Sequence, residues 1–288
     1  MNAALLLLAD SRLPAGGHGH SGGAEEAVRI GAIHDLAGLA AFLRGRLATA
    51  GLVTAALAAA ACELGAAHLS ASLPPPADGP PAEVPARANG AAPALTPANG
   101  PAPAGANGSS PHPETGRSWW IRLDAEADAR ISSPAQREAS RTQGRLLLRT
   151  SRRIWPSPVL DTLAGAVSQG VHHPLGLGAV AAVAGCSPAE AALAAAYTSV
   201  TGPATAAVRL LGLDPVAVHR LLADLAPALE RVAATVPTGG ARGPRESREP
   251  WESRQAWESW ESLPAHAAPA LDLLAEQHIR ADLRLFVS

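Results

Sequence analysis

The stretch from residue 157 to residue 229 limits the possible fold more than any other part of the chain. It contains three helix starts in which a capping side chain precedes a proline: Ser157-Pro158, Ser187-Pro188 and Asp214-Pro215. At the second start, Glu190 lies where it completes a capping box. The residues between these starts are mainly Ala, Leu and Val, and a helix that is apolar on most of its circumference is buried in a bundle. We therefore predict a core of packed helices.

Helices are also predicted before and after this core. Apolar residues recur at helical spacing after Asp35, which is a suitable N-cap, and Gly51 interrupts the pattern. No alternating pattern typical of a strand ladder is found. The further helices are predicted at residues 3–9, 24–30, 36–47, 52–69, 120–131 and 133–153, and glycine stops at Gly170, Gly185 and Gly212. The prediction is an all-α fold, a multi-helix bundle that forms a single domain over residues 1–288.

Two segments interrupt the helical pattern. Residues 74–118 are dominated by Pro, Ala, Gly and Asn, and residues 237–264 repeat the triplet Trp-Glu-Ser with nearly balanced charge. Segments of this composition cannot bury enough apolar surface to offset the entropy that the chain loses on ordering. We predict that both are long, low-complexity, disordered insertions in the single domain.

Composition argues against several functional classes. The net charge of −2 is unsuited to binding a polyanion such as a nucleic acid through bulk charge. All 23 basic residues are arginines, so the lysine of a standard phosphate-binding P-loop is missing. Cys62 and Cys186 are too few for a disulfide framework and indicate buried, reduced thiols in a cytoplasmic protein. Neither a signal peptide nor a membrane span is predicted.

Four histidines form the first candidate site. His18 and His20 alternate in the glycine-rich loop of residues 15–23, so both could face one metal ion. His172 and His173 are consecutive and precede a proline, which favours a role at a helix junction. An all-α metal-binding enzyme that uses these four histidines is one alternative for the function.

A series of arginines forms the second candidate site. They are spaced by four residues and would lie along one face of a helix. Such a stripe is either a solvated face or a docking surface for an acidic partner, and an all-α nucleic-acid regulator is the corresponding alternative. No Ser-His-Asp set, paired-carboxylate motif or HExxH pattern is present, so the sequence indicates no enzymatic activity. The stripe consists of Arg137, Arg141, Arg145 and Arg149.

Four motifs, found in order along the chain, resemble those of UreF-type urease accessory proteins. They cover nearly everything except the two predicted insertions. Aromatic residues are usual in that family at the positions of His18 and His20, and an apolar residue is common at the position of Glu26. The motifs are LPAGG at residues 13–17 followed by Ser21, Gly23 and Glu25; SRTQGRLLL at residues 140–148; HHP at residues 172–174 with AAVRL at residues 206–210; and LD at residues 271–272 with RLF at residues 284–286 before Ser288.

The resemblance implies an all-α, dimeric, non-enzymatic scaffold. In this family it would join the accessory protein UreD or UreH to the nickel-carrying GTPase UreG, and the assembly would deliver nickel to apo-urease. The chain itself would bind no cofactor or metal, because nickel and GTP are handled by the complex. The resemblance places partner-binding residues in the first loop and in the tail, namely Gly16, Gly17, His18, His20, Glu25, Arg284, Leu285 and Phe286.

The C-terminal tail has a physical character of its own. Leu283, Leu285 and Phe286 cluster around Arg284, and chain ends fray unless something holds them. An apolar end beside a guanidinium either docks on a partner or folds back onto its own bundle. The resemblance favours docking, with Arg284 at the surface that receives the GTPase.

Overall fold

The structure is a computed structural model that describes residues 2–10, 13–14, 17–71, 113–236 and 260–288. Every regular element in these ranges is helical, and none of them contains a strand, so the predicted all-α class is confirmed. A 3₁₀ turn lies at Gly17–Gly19 and a π turn at Leu47–Gly51. The α-helices are α1 (Ala3–Ala9), α2 (Ala24–Arg29), α3 (Leu36–Arg46), α4 (Leu52–Ala71), α5 (Pro113–Arg130), α6 (Pro134–Ile154), α7 (Pro158–Ala166), α8 (His173–Val183), α9 (Pro188–Leu211), α10 (Pro215–Thr235) and α11 (Pro269–His278).

Local capping chemistry sets the helix boundaries of the central stretch. The Ser187 hydroxyl accepts a hydrogen bond from the Glu190 amide at 3.3 Å, and the Glu190 carboxylate accepts one from the Ser187 amide at 2.9 Å. This is the predicted capping box of α9. Gly212 follows α9 with φ of +64°, the left-handed conformation that ends a helix. The predicted starts of α7 and α10 at Ser157 and Asp214 are also confirmed.

Helices α4, α8 and α9 form the centre of the bundle and approach one another closely. A Cβ atom on Gly178 of α8 would lie 2.1 Å from the carbonyl oxygen of Ala58 in α4, so the two backbones touch at this point. Ala195 and Ala207 of α9 are only 3% and 0% exposed. The predicted core of packed helices is therefore confirmed, and small side chains determine how closely its helices pack.

One long apolar helix runs through residues Leu36–Ala71, which include α3, the π turn and α4. Among the described helices it is the one long and apolar enough to cross a membrane. Its most apolar window is 67% buried inside the protein, where α4 packs against α8 and α9. Burial in the core accounts for its composition, so the helix does not imply a membrane.

Most of both predicted insertions, residues 74–112 and 237–259, lies outside the described residues. Their described ends are folded. Helix α5 begins at Pro113, earlier than the start predicted near Trp120, and Trp260 is 5% exposed. The rings of Trp119 and Trp260 meet edge to face with centroids 5.6 Å apart. The folded bundle thus extends into residues 113–118 and 260–264, because a few apolar anchors there outweigh the polar composition that surrounds them.

Candidate functional site

The first loop and the C-terminal tail form one site although 260 residues separate them in sequence. We call residues 17–25 together with residues 279–288 the loop–tail site. The Val287 amide donates to the Gly19 carbonyl at 2.6 Å, and the Ser21 amide donates to the Ser288 carbonyl at 2.5 Å. The Ser21 hydroxyl donates to the same Ser288 carbonyl at 2.9 Å. The tail is therefore held on the loop through backbone groups, and the fold-back considered for the tail is observed.

Glu25 holds the tail from the other side. This residue lies in the first turn of α2, and its two carboxylate oxygens accept hydrogen bonds from two consecutive tail amides. The Leu285 amide lies 2.7 Å from Oε1 and the Phe286 amide lies 3.1 Å from Oε2. Hydrogen bonds to a charged acceptor are stronger than those between neutral groups. Glu25 thus fixes the tail at two consecutive residues, of which Leu285 is exposed and Phe286 is buried.

Two buried imidazoles support this arrangement. His278 is 2% exposed; its Nε2 lies 3.2 Å from the Phe286 carbonyl and its Nδ1 lies 3.7 Å from Glu25 Oε2. The Nδ1 atom of His20 lies 2.6 Å from the Ser288 hydroxyl. Burial lowers the pKa of His20 to about 4, so its ring is neutral at neutral pH. The histidines therefore position the tail by hydrogen bonding.

The tail presents different side chains inward and outward. Phe286 is buried, and the Arg209 guanidinium lies 6.0 Å from its ring centroid. Leu283 is 92% exposed and Leu285 is 78% exposed. Arg284 is also exposed, and no carboxylate of the described residues pairs with it. The folded-back tail thus leaves an apolar and cationic surface open to solvent.

The structure brings together part of the predicted partner-binding set. Gly17, His20 and Glu25 lie with the tail residues in one place, whereas Gly16 and the side chain of His18 are outside the described residues. Of the tail residues, Leu285 faces solvent and Phe286 faces inward as an anchor. Glu26, at a position where an apolar residue is common in the family, is buried and accepts a hydrogen bond from Arg29 Nε at 2.7 Å. That hydrogen bond lowers the pKa of Glu26, so its charge is paired within α2.

Arg46 is a residue of this region that sequence reasoning missed. Pro203 lies inside α9 and has no N–H, so the carbonyl of Ser199 lacks its helical donor. Arg46 Nε donates to that carbonyl at 2.8 Å, and Arg46 Nη1 donates to the Gly22 carbonyl at 2.8 Å. One guanidinium therefore joins the proline position of α9 to the loop. A proline inside a helical pattern was the available signal, because it leaves the carbonyl four residues earlier without its helical hydrogen-bond donor.

A second polar group lies between α5, α6 and the start of α8, with Asp124, Arg141 and His172 buried and Asp128 partly exposed. We call it the Arg141 cluster; it consists of Asp124, Asp128, Arg141 and His172. Arg141 Nη2 donates to Asp124 Oδ2 at 2.9 Å and to Asp128 Oδ2 at 2.7 Å. His172 Nε2 lies 2.9 Å from Asp128 Oδ1. Burial alone would raise the pKa of Asp128, but the His172 hydrogen bond and the Arg141 charge outweigh it and lower that pKa.

The Arg141 cluster has the geometry of a metal site but already contains a cation. Ligand atoms of Asp124, Asp128 and His172 lie within 4.8 Å of one another. The Arg141 guanidinium contacts both carboxylates and supplies the positive charge that an ion would otherwise provide. His20 hydrogen-bonds to the tail and His172 to Asp128, so these two members of the predicted histidine site have separate partners. The cluster fixes the helix junction that was predicted for His172 and His173.

The predicted arginine stripe is mostly engaged within the chain. Arg141 is buried, and Arg137 Nη1 donates to the carbonyls of Ile131 and Ser132 at 2.7 and 2.9 Å. Arg145 Nη2 lies 2.9 Å from Glu138 Oε1. Of the four members, Arg149 is the one that is exposed without an ion pair among the described residues. The stripe therefore provides little free positive charge for a polyanion.

Fold and site together are those of an all-α protein with an exposed apolar surface of the kind that binds other proteins, at Leu283 and Leu285 of the tail. The UreF family model matches residues 33–226. The urease accessory protein UreF of Mycolicibacterium vanbaalenii is 37% identical over 286 residues, 99% of this chain and 98% of that protein. The proteins of the same name from Mycobacterium sp. strain JLS and Mycobacterium tuberculosis H37Rv are 37% and 33% identical, covering 99% of this chain and 97% and 98% of those proteins. The chain belongs to the UreF family of urease accessory proteins.

Family membership confirms the resemblance that the motifs indicated. UreF proteins are chaperone-type accessory proteins, so the protein is not an enzyme and the alternative of a metal-binding enzyme is wrong. The family role is urease maturation, which includes nickel insertion and partnership with other urease accessory proteins. This role favours binding of proteins over regulation of a nucleic acid.

Proposed function

We propose that this protein is a scaffold that bridges the accessory protein UreD or UreH to the GTPase UreG in the cytoplasm. The bridged assembly delivers nickel to apo-urease. Nickel and GTP are bound by the partners, which agrees with the absence of lysine from this chain. The observation that supports the proposal is the loop–tail site, where family motifs from both ends of the chain meet in one exposed surface.

The loop–tail site has the properties of a preorganised docking surface. Glu25 and the loop backbone fix the extended tail before any partner arrives, so little ordering entropy is lost on binding. Leu283, Leu285 and Arg284 then offer apolar contacts beside a guanidinium that can pair with a partner carboxylate. The same surface serves the GTPase in our proposal, with Arg284 as the residue that contacts it.

The proposal includes a homodimer within the complex. Helix α1 turns Leu5 and Leu8 into the bundle, whereas Leu6 and Leu7 are 66% and 55% exposed. A second copy that packs on this face would remove both leucines from water. Sedimentation of the chain bound to UreD or UreH should show two copies of the unaltered chain in the complex and one copy of the chain with Leu6→Glu and Leu7→Glu. A dimer that persists would place the contact elsewhere.

Complementation tests the scaffold directly. A urease operon that lacks this gene is co-expressed with the unaltered chain or with Arg284→Ala, and urease nickel content and urea hydrolysis are measured. Arg149→Ala is the matched control, since both arginines are exposed and lack ion pairs among the described residues. We expect Arg284→Ala to retain its fold and to lose UreG in pull-downs together with most urease activation. Normal activation by Arg284→Ala, or equal loss in Arg149→Ala, would contradict the proposed surface.

A further inference from the structure

A cleft of about 660 Å³ lies beneath the loop–tail site. Its walls come from α4, α6, α8 and α9, and the loop and the tail close one side. Polar groups occur along an otherwise apolar lining, among them Arg46, Ser140, His20 and His173. A concave site with a few polar groups on apolar walls is the usual form of a small-ligand site.

Arg46 contributes a charge to this cleft that no carboxylate neutralises. Its Nε and Nη1 atoms donate to the carbonyls of Ser199 and Gly22, which are neutral acceptors. No carboxylate of the described residues lies within ion-pair distance of it. A guanidinium has five N–H donors, so the two observed bonds leave donors for a further acceptor.

The other ionisable groups of the lining do not replace this missing counter-charge. The acidic side chains of the lining are Asp10, Glu138 and Asp272, and none of them forms an ion pair with Arg46; Glu138 is paired with Arg145 at 2.9 Å. Burial lowers the pKa of His173 to about 4, with a smaller contribution from His20, so both rings are neutral at neutral pH. Ser140 accepts a hydrogen bond from the His173 amide at 3.1 Å and still has its own proton to donate. The lining thus offers hydrogen-bond donors beside Arg46, and none of these groups neutralises the charge of Arg46.

Arg46 is half-buried, and partial removal of a cation from water without a counter-ion is costly. Burial lowers the pKa of Arg46 to about 10, which is the expected consequence of that cost. A neutral donor would have been enough to bridge two carbonyls, so the charge itself calls for an explanation. An anion in the cleft would supply one.

We propose that this cleft binds a small oxyanion, a carboxylate or a phosphate, through the guanidinium of Arg46. Guanidinium groups bind both chemistries through paired hydrogen bonds. The oxyanion is either a free solute or a carboxylate that an accessory partner inserts into the cleft. This proposal can fail without affecting the proposed scaffold role, because binding of a small anion is measured on the isolated chain.

The test uses calorimetric titration of the purified full chain with acetate and with inorganic phosphate at constant ionic strength in chloride. We expect saturable binding of at least one probe, and a loss of affinity of about ten-fold or more in Arg46→Gln, the size of a charged hydrogen bond. Arg149→Gln removes the same charge from an exposed position outside the cleft and should bind as the unaltered chain does. No saturable binding, or equal affinity in a folded Arg46→Gln variant, would overturn the proposal.

A second measurement needs no variant, in case Arg46→Gln fails to fold. Phenylglyoxal modifies accessible arginines, and mass spectrometry of the digested chain reports the modification at each position. We expect the probe that binds to slow modification of Arg46 several-fold and to leave Arg149 unaffected. Equal modification of Arg46 with and without the anion would contradict the site. Repeating the titration with the UreD or UreH partner bound distinguishes the sources, since a partner carboxylate would displace the probe and a free anion would remain.

Discussion

The loop–tail site and the Arg141 cluster both join segments that are distant in sequence, but they use carboxylates differently. In the cluster, Asp124 and Asp128 face the side-chain cation of Arg141, which is 6% exposed. In the loop–tail site, Glu25 binds two backbone amides at the edge of the protein. A buried charge that loses its partner is strongly destabilised, whereas a surface segment that is released regains water. The cluster should therefore control global stability, and the loop–tail site should control local opening.

The largest effect is expected from Arg141→Met. The substitution keeps an unbranched side chain but leaves Asp124 and Asp128 in close proximity without a cation, so the free energy of unfolding should fall by about 3–5 kcal/mol. Urea denaturation followed by circular dichroism measures this change. Arg149→Met is the control and should change stability by less than about 0.5 kcal/mol, as is usual for exposed positions. Similar midpoints for the two variants would show that the cluster does not carry the stability assigned to it.

Acid should weaken both regions through their buried histidines. The pKa of His20 is lowered from 6.5 to about 4, so the folded chain stays unprotonated there while the unfolded chain takes up a proton. The contribution of His20 to the free energy of unfolding is therefore fully present above pH 6.5, and it decreases as the pH falls from 6.5 to about 4. His172, whose pKa burial also lowers, acts in the same direction in the cluster.

Urea midpoints measured between pH 7 and pH 4 check this expectation. The curve for His20→Gln should be flatter than that of the unaltered chain, because one of the titrating groups is gone. His34→Gln is a suitable control, since His34 is exposed and its ring meets solvent in the folded chain as well. A His20→Gln variant with an unchanged pH dependence would mean that this imidazole has the same pKa in the folded and the unfolded chain.

A smaller and local effect is expected from Glu25→Gln. The amide side chain keeps one accepting oxygen, but it loses the charge and cannot accept from both tail amides. We expect hydrogen exchange at Leu285 and Phe286 to accelerate by about ten-fold or more, as the loss of a charged hydrogen bond implies, while the melting temperature changes little. Glu138→Gln, at an exposed carboxylate outside the loop–tail site, should leave tail exchange unchanged. A large fall in the free energy of unfolding would instead show that the loop–tail site, like the Arg141 cluster, controls global stability.

The two regions also differ in how far sequence could predict them. Helix starts such as Ser187 and Asp214 were predictable because capping depends on residues two or three positions apart. The burial of Arg141 required the pairing of α5 with α6, although the four-residue spacing of Asp124 and Asp128 was a visible hint that one face of α5 is acidic. The contact of Glu25 with the tail joins a side chain to backbone amides 260 residues away, which no local pattern reports. Only the family motifs indicated that the first loop and the C-terminal tail both contribute to partner binding.

The smallest effect is expected from replacing residues 76–110, which lie outside the described residues, with a short Gly-Ser linker. The described flanks already lie close together, because the ring of His68 in α4 is 5.7 Å from the ring of Trp120 in α5. A short linker can therefore connect them, and each doubling of loop length changes the closure cost by only about 0.6 kcal/mol. We expect the urea midpoint, tail hydrogen exchange and partner pull-downs to stay close to those of the full chain. A strong fall of the urea midpoint with unchanged tail exchange would show that the removed segment stabilises the bundle, as the Arg141 cluster does. A change in tail exchange or partner binding alone would show that the segment contributes to the loop–tail site.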